Sequence, residues 1–367
     1  MWKRYRLKHV LQTLGFTAIT IPLFQKVEKT PAGNFSIIIR MGLGSSPTKF
    51  LKRIDQVAVG MKMEEAELFR VSRNKFKLTF RNRSQEVFPS YPKSEAPPEN
   101  PQLINDIPFG KNADGYQVRL PIFTPSGGTV SLIGGLQGQG KSSALKLLVS
   151  GFANTNDCIL WFDAKSGADA SAYAQRVNVY TDPANPEMYL NILKRLYTSC
   201  LIRNRLVSHG ASLASLPRII LLIDEWFLLS ALGEKNIQNE IQSELRKIVA
   251  IGRSANISVI LATQRPTSQN IDVTTRELCN TRVAFYCGDI HASEAILGQS
   301  GAEDKTNPLR PGEALIWING RLERTTLFEV PELSGNLWTS VTTQKMTLDE
   351  VQNQEKKLCR LNDIPSE

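Results

Sequence analysis

The chain has 367 residues, 41% of them hydrophobic and 22% charged, which suits a soluble globular protein with room for two cores of ordinary size. Its five cysteines (Cys158, Cys200, Cys279, Cys287, Cys359) form no Cys-x-x-Cys pair and have no accompanying histidine pattern, which argues against a zinc module and for free thiols in a reducing cytoplasm. The net charge of +9 is uneven: residues 1–100 hold 18 Lys and Arg against 8 Asp and Glu, while the remainder holds 26 against 27, so the basic character is N-terminal and favours a polyanionic partner.

The stretch WKRYRLKHVLQTL predicts a basic helix over about 2–14, followed by a strand. The apolar run that follows the basic residues is interrupted by Gln12, Thr13, Thr17 and Thr20, and no small-residue cleavage site comes after it, so neither a leader nor a membrane span is expected. FSIIIRM (35–41) and FKLTFRN (76–82) have strand composition. Residues 46–61 have helical spacing at Phe50, Ile54, Val57 and Val59. These predict a basic α/β domain over 1–88. Five prolines among polar residues in FPSYPKSEAPPENPQ then mark a linker, 89–103.

From 104 to 340 short apolar runs alternate with helical segments. TVSLI (129–133), CILWF (158–162), RIILLID (218–224), NISVILAT (256–263) and TRVAFYC (281–287) read as strands buried on both faces of a mainly parallel sheet, extended by ALIWI (314–318) and TTLFEV (325–330). KSSALKLLVSG (141–151) and NEIQSELRKIVAIG (239–252) have helical spacing. No transmembrane run appears, and 341–367 reads as a polar tail.

GGLQGQGKSS (134–143) satisfies G-x-x-x-x-G-K-[ST] between a strand and a helix. Gly135, Gly138 and Gly140 let backbone N–H groups converge on phosphate oxygens, and the helix that opens with Lys141, Ser142 and Ser143 adds partial positive charge. Lys141 suits the β- and γ-phosphates and Ser142 a Mg²⁺ ion, so ATP with Mg²⁺ is the expected ligand. IILLIDEW ends a strand in two acids: Asp224 suits the metal shell, and Glu225 suits polarising an attacking water. In IGRSANISVILATQRP, Thr263 and Gln264 end a strand beside the γ-phosphate. Arg253 is read both as an arginine finger offered to a neighbouring subunit and as a helix-end surface arginine. Asp163 and Lys165 in WFDAK read as a satisfied pair in the crevice, and Arg282 as a weak phosphate or interface contact.

FGKNADG, GGLQGQGKSS, WFDAK, IILLIDEW, GRSANISVILATQRP, NTRVAFYC and AILGQSGAED occur in one order, and over about 104–330 that order resembles the motor of the FtsK/SpoIIIE family of double-stranded DNA translocases. The resemblance implies an α/β RecA-like P-loop ATPase core, a homo-hexameric ring around duplex DNA, and hydrolysis at subunit interfaces with Arg253 donated in trans. It also implies DNA contacts from Arg265 and the loop after TRVAFYC. Here that loop reads Asp289-Ile-His-Ala-Ser-Glu294 instead of carrying basic residues, so Arg276 or the first domain is expected to supply part of the grip. With no multi-span anchor and too short a tail for a winged-helix module, the resemblance is greatest to mobile-element members that serve conjugative transfer of a plasmid or integrative element. A cytoplasmic location with recruitment by a membrane-channel or relaxosome partner follows as an expectation. A related ring ATPase that moves protein in a secretion system is the alternative.

Overall fold

The computed structural model describes the chain except residues 1, 18, 21–26, 31–32, 43–45, 83–88, 92–103, 153–154, 166–169, 265, 268–272, 332–344, 363 and 366–367. Most of the proposed linker and Arg265 therefore lie outside the described residues. The chain divides into two compact units: residues 1–87 with 111–117, and residues 88–110 with 118–367.

In the first unit the order is α1 (Trp2–Thr13), β1 (Ile19–Thr20), β2 (Glu28–Lys29), β3 (Phe35–Met41), α2 (Pro47–Leu51), α3 (Ile54–Gly60), β4 (Glu65–Ser72) and β5 (Lys75–Arg81). The sheet runs β1-β3-β5-β4, with β2 also on β3, and all of its pairs are antiparallel. Alternation decides which side is covered. Phe35, Ile37, Ile39, Phe76, Leu78 and Phe80 pack with Leu7, Leu11, Phe50 and Val57 of the helices, and the intervening residues take the other face.

The second unit contains β6 (Asp106–Asn112), β7 (Gln117–Pro121), β8 (Phe123–Thr124), β9 (Gly127–Gly128), β10 (Val130–Gly134), α4 (Lys141–Phe152), β11 (Cys158–Phe162), β12 (Asn178–Tyr180), α5 (Pro186–Ser208) and β13 (Ile219–Ile223). It continues with α6 (Trp226–Leu229), α7 (Lys235–Ile251), β14 (Ile257–Thr263), α8 (Val273–Leu278), β15 (Thr281–Ala284), α9 (Ile290–Leu297), β16 (Glu313–Ile318), β17 (Arg321–Leu327) and α10 (Leu348–Leu361). Ten strands form one sheet in the order β12-β11-β13-β14-β10-β15-β16-β17-β6-β7; β12 through β15 along that order are parallel, and β16 and β17 turn antiparallel.

The uninterrupted apolar character of β11, β13 and β14 has a direct cause: every residue of these strands is buried, because helices cover both faces. One core lies against α5 and α7 through Leu193, Leu196, Ile241 and Leu245. The other lies against α4 through Ala144, Leu145, Leu147 and Leu148. Parallel register then sets the site, since Gly134 on β10 lies level with Thr263 on β14 and Ala284 on β15. The P-loop and the residues after β13 and β14 thus emerge at the same carboxyl edge, where open α/β sheets bind ligands.

The segment 341–367, read as a polar tail, carries α10, a 14-residue helix capped by Thr347 and Glu350 acting reciprocally. It buries Leu348, Val351, Glu355 and Cys359. No described helix is long and apolar enough to cross a membrane.

Candidate active site

The P-loop joins β10 to α4, and its glycines are required by packing as well as by conformation. Gly135 and Gly140 have φ of 141° and 123°, and a Cβ on either would meet the Phe285 side chain at 2.7 and 2.8 Å. Gly138, at φ 75°, has open space where its Cβ would point. A flat ring below and an unobstructed side above leave backbone free to approach a phosphate. Leu136 N donates to Tyr286 O at 2.9 Å and Gly312 N to Gln139 O at 2.9 Å, so the segments after β15 and before β16 brace the loop.

Lys141 is the first residue of α4 and is buried, with Nζ donating to the carbonyls of Gly135 (2.8 Å) and Leu136 (2.6 Å). Its ammonium thus rests on the oxygens of its own loop. Burial draws its pKa down to about 8, opposed by the charge of Glu225. Ser142 and Ser143 follow in the first turn of the same helix.

Asp224 and Glu225 leave β13 and are both buried. Burial raises the Asp224 pKa, and Lys165 works against that rise. Asp224 Oδ2 accepts from Lys165 Nζ at 3.3 Å, whereas Oδ1 has no hydrogen-bond partner among the described residues. Glu225 is held more fully. Its Oε1 accepts from Thr263 Oγ1 at 2.9 Å, and Gln264 N donates to Oε1 and Oε2 at 3.0 Å each. The end of β14 is therefore a clasp on the carboxylate of Glu225.

Lys165 is the residue whose role the sequence did not disclose. Its sequence neighbour Asp163 binds only its backbone N–H, at 2.9 Å, while the ammonium reaches Asp224 at 3.3 Å and Glu225 at 3.7 Å. A single cation spans both acids. Mg²⁺ usually takes one or two protein oxygens and keeps waters. A buried carboxylate oxygen with no partner among the described residues, at the sheet edge where the Ser142-bearing helix starts, fits that ion, and Asp224 and Ser142 are the residues that could hold it.

Arg253 lies elsewhere. It follows α7 and precedes β14, at the amino ends of the strands, about 20 Å of strand away from the P-loop edge. Its guanidinium donates to Ser126 Oγ at 2.7 Å and is exposed. Its carbonyl accepts from Gly128 N at 2.9 Å, and a Cβ on Gly127 would strike that oxygen at 1.8 Å. Arg203 Nη1 donates to the carbonyl of Ala255 at 3.1 Å and Asn204 Nδ2 to that of Ile251 at 3.2 Å, so α5 grips the same turn.

The remaining expected contacts are dispersed. Arg276 on α8 donates to Glu294 O at 3.1 Å. Arg282 stacks on Trp317 at 4.3 Å and donates to Leu297 O at 3.0 Å, which accounts for it as a packing residue. Asp289 caps α9 through Ala292 N at 2.8 Å.

No protein-family model matches the chain. Among curated proteins it is 37% identical over 92 residues to the DNA translocase FtsK of Bradyrhizobium diazoefficiens, a match spanning 25% of this chain and 11% of that one. It is 34% identical over 115 residues to FtsK of Staphylococcus aureus strain Mu50, covering 30% of this chain and 13% of that protein. Among solved structures it superposes on the pCW3 conjugation coupling protein TcpA, with a TM-score of 0.62 at 14% identity, over 98% of this chain and 99% of that one. The cytoplasmic domain of the type VII secretion ATPase EccC of Thermomonospora curvata gives a TM-score of 0.53 at 22% identity, over 69% of this chain and 33% of that one. The fold is that of P-loop ATPases, and by sequence the chain is related to the FtsK/SpoIIIE family.

Proposed function

We propose that the chain is an ATP-driven translocase of double-stranded DNA, working as a ring in conjugative transfer of a plasmid or integrative element. One observation carries the reading. Lys141, Asp224 and a Glu225 clasped by Thr263 and Gln264 converge at one sheet edge, in a chain related to FtsK DNA translocases. Lys141 leaves its resting carbonyls for the phosphates of ATP. Glu225 accepts the proton of the attacking water, and Gln264, on the same clasp, registers loss of the γ-phosphate. Mg²⁺, when bound by Ser142 and Asp224, supplies charge neutralisation at the phosphates.

Arg253 is at the wrong edge for its own nucleotide, which supports its donation to a neighbour's. A head-to-tail interface that closes into a ring permits that donation at every site. In mixed assemblies, Arg253→Ala subunits combined with Glu225→Gln subunits are expected to regain part of the ATPase activity lost by each alone. Absence of any recovery would leave Arg253 as a surface residue.

The likeness to EccC supports a second reading, a ring ATPase that moves protein. The basic N-terminal hundred residues favour a nucleic acid instead. ATP hydrolysis measured with and without linear duplex, at low and high salt, separates the two readings. Duplex stimulation that fades with salt is expected; a rate raised by a protein substrate and indifferent to duplex would favour the second.

A further inference from the structure

The first unit is far more basic than the second: residues 1–87 hold 17 Lys and Arg against 6 Asp and Glu. Its sheet has one face covered by helices, and the two ends of the other face treat their cations differently. At one end the cations Lys77 and Arg81 are answered by acids. Lys77 pairs with Glu28 at 2.6 Å, and Arg81 pairs with Asp114 at 3.2 Å and with Glu67. These side chains line a cleft of about 890 Å³.

At the other end, the tip of the β4–β5 hairpin, no described acid answers them. Arg40 and Lys75 lie directly opposite each other across the β3–β5 pair. Both residues alternate with core-facing neighbours and so project from the helix-free face. Arg73 sits in the adjoining turn, and its carbonyl accepts from Arg70, a residue of β4 registered opposite core-facing Phe76, at 3.1 Å. Neither LFRVSRNK (68–75) nor SIIIRMG (36–42) contains an acid, and Arg40, Arg73 and Lys75 have no acidic partner among the described residues. Like charges placed directly across an antiparallel pair oppose folding. Yet acids were placed against the cations two strand positions away. The tip is therefore a group of uncompensated cations apart from the paired cations of the cleft.

We propose that this tip, Arg40 with Arg73 and Lys75, is a contact for the phosphate backbone of double-stranded DNA, separate from any contact made by the P-loop unit. The inference rests on the duplex-translocase reading. Two guanidinium forks match phosphate oxygens bidentately, and lysine adds a point charge. Such contacts fix position without reading bases, as a sequence-independent motor requires. A membrane surface fits less well, because membrane docking needs a broad apolar face and, among the described side chains, the tip exposes only Val71 of the large apolar residues.

The test uses the full chain and its Arg40→Gln/Arg73→Gln/Lys75→Gln variant, whose changes lie outside both cores. Binding to a labelled linear duplex of about 30 base pairs is followed by anisotropy between about 50 and 200 mM salt. The variant is expected to lower the slope of log Kobs against log salt by about 2.7, which is about 0.9 for each of three lost phosphate contacts. It should also need roughly tenfold more duplex for half-maximal ATPase stimulation, with basal hydrolysis unchanged. An unchanged slope in a variant that binds duplex as the parent does would overturn the proposal and spare the reading beneath it. No duplex binding by the parent chain would overturn both. Vesicles of equimolar phosphatidylcholine and phosphatidylserine that bind the parent but not the variant, with duplex affinity equal, would reassign the tip to anionic membrane and likewise overturn it.

Discussion

Two groups of buried charge in the second unit are built on opposite plans. Around Arg203 and Glu355, both fully buried, every strong donor and acceptor is met: Arg203 donates to Glu355 at 2.6 Å, to Pro217 O at 2.8 Å and to Ala255 O at 3.1 Å, while Ser199 donates to the second Glu355 oxygen at 3.0 Å. Around Asp224 and Glu225, one carboxylate oxygen is unmet, and a single Lys165, still one-third exposed at 32%, is stretched across both acids. A satisfied cluster in low dielectric braces the elements that supply it, here α5, α10 and the turn of Arg253. An under-satisfied cluster at a sheet's carboxyl edge is built for a ligand that completes it. The contrast separates a structural charge from a chemical one without reference to any relative.

The largest effect falls on the incomplete cluster. Glu225→Gln should lower hydrolysis by roughly 10²–10⁴ while leaving ATP binding and the denaturation midpoint nearly as they were. Steady-state turnover, equilibrium nucleotide binding and denaturant titration read the three quantities, and a large stability loss would break the contrast. The complete cluster should behave the other way. Glu355→Gln is expected to cost about 3–5 kcal/mol of stability, and an Arg203→Met/Glu355→Leu pair to recover most of it. Thiol labelling sharpens this result. Burial pushes Cys158 and Cys200, beside the cluster, up to about 12, so alkylation at neutral pH should be slow in the parent chain and fast in Glu355→Gln. The smallest effect is at the clasp. Thr263→Val removes one hydrogen bond to the charged Glu225, worth about 1.5 kcal/mol, and should lower kcat roughly tenfold with little change in KM. A change confined to KM would mean that Thr263 binds nucleotide and does not orient the base.

Much of this was legible in the sequence because it is local. Five apolar residues in CILWF and IILLI read as strands since both faces are buried, and Lys141, Asp224, Glu225 and Gln264 stood out because each ends or begins an element at a fixed offset from an apolar run. What escaped depends on contacts far apart in the chain. Lys165 lies two residues from Asp163, yet its ammonium serves Asp224 and Glu225 some sixty residues on. Phe285 reads as one more apolar residue of TRVAFYC; only the tertiary fold reveals it as the plate under the P-loop glycines. Helix α10 reads as polar because its buried stripe is narrow and one of its four buried residues is charged: Glu355 enters the core where Arg203 meets it. Buried charge pairs mislead a hydrophobic pattern in this way, and the two halves of such a pair carry no local sign of each other.

The central claim is that ATP hydrolysis at Lys141 and Glu225 drives movement along duplex DNA. It is tested most directly by displacement of a triplex-forming strand from linear duplex in the presence of ATP and Mg²⁺. The parent chain should displace the strand at a rate set by ATP, and the Lys141→Ala and Glu225→Gln chains should leave it in place. Duplex-stimulated hydrolysis by the parent chain with the third strand undisturbed would contradict the account.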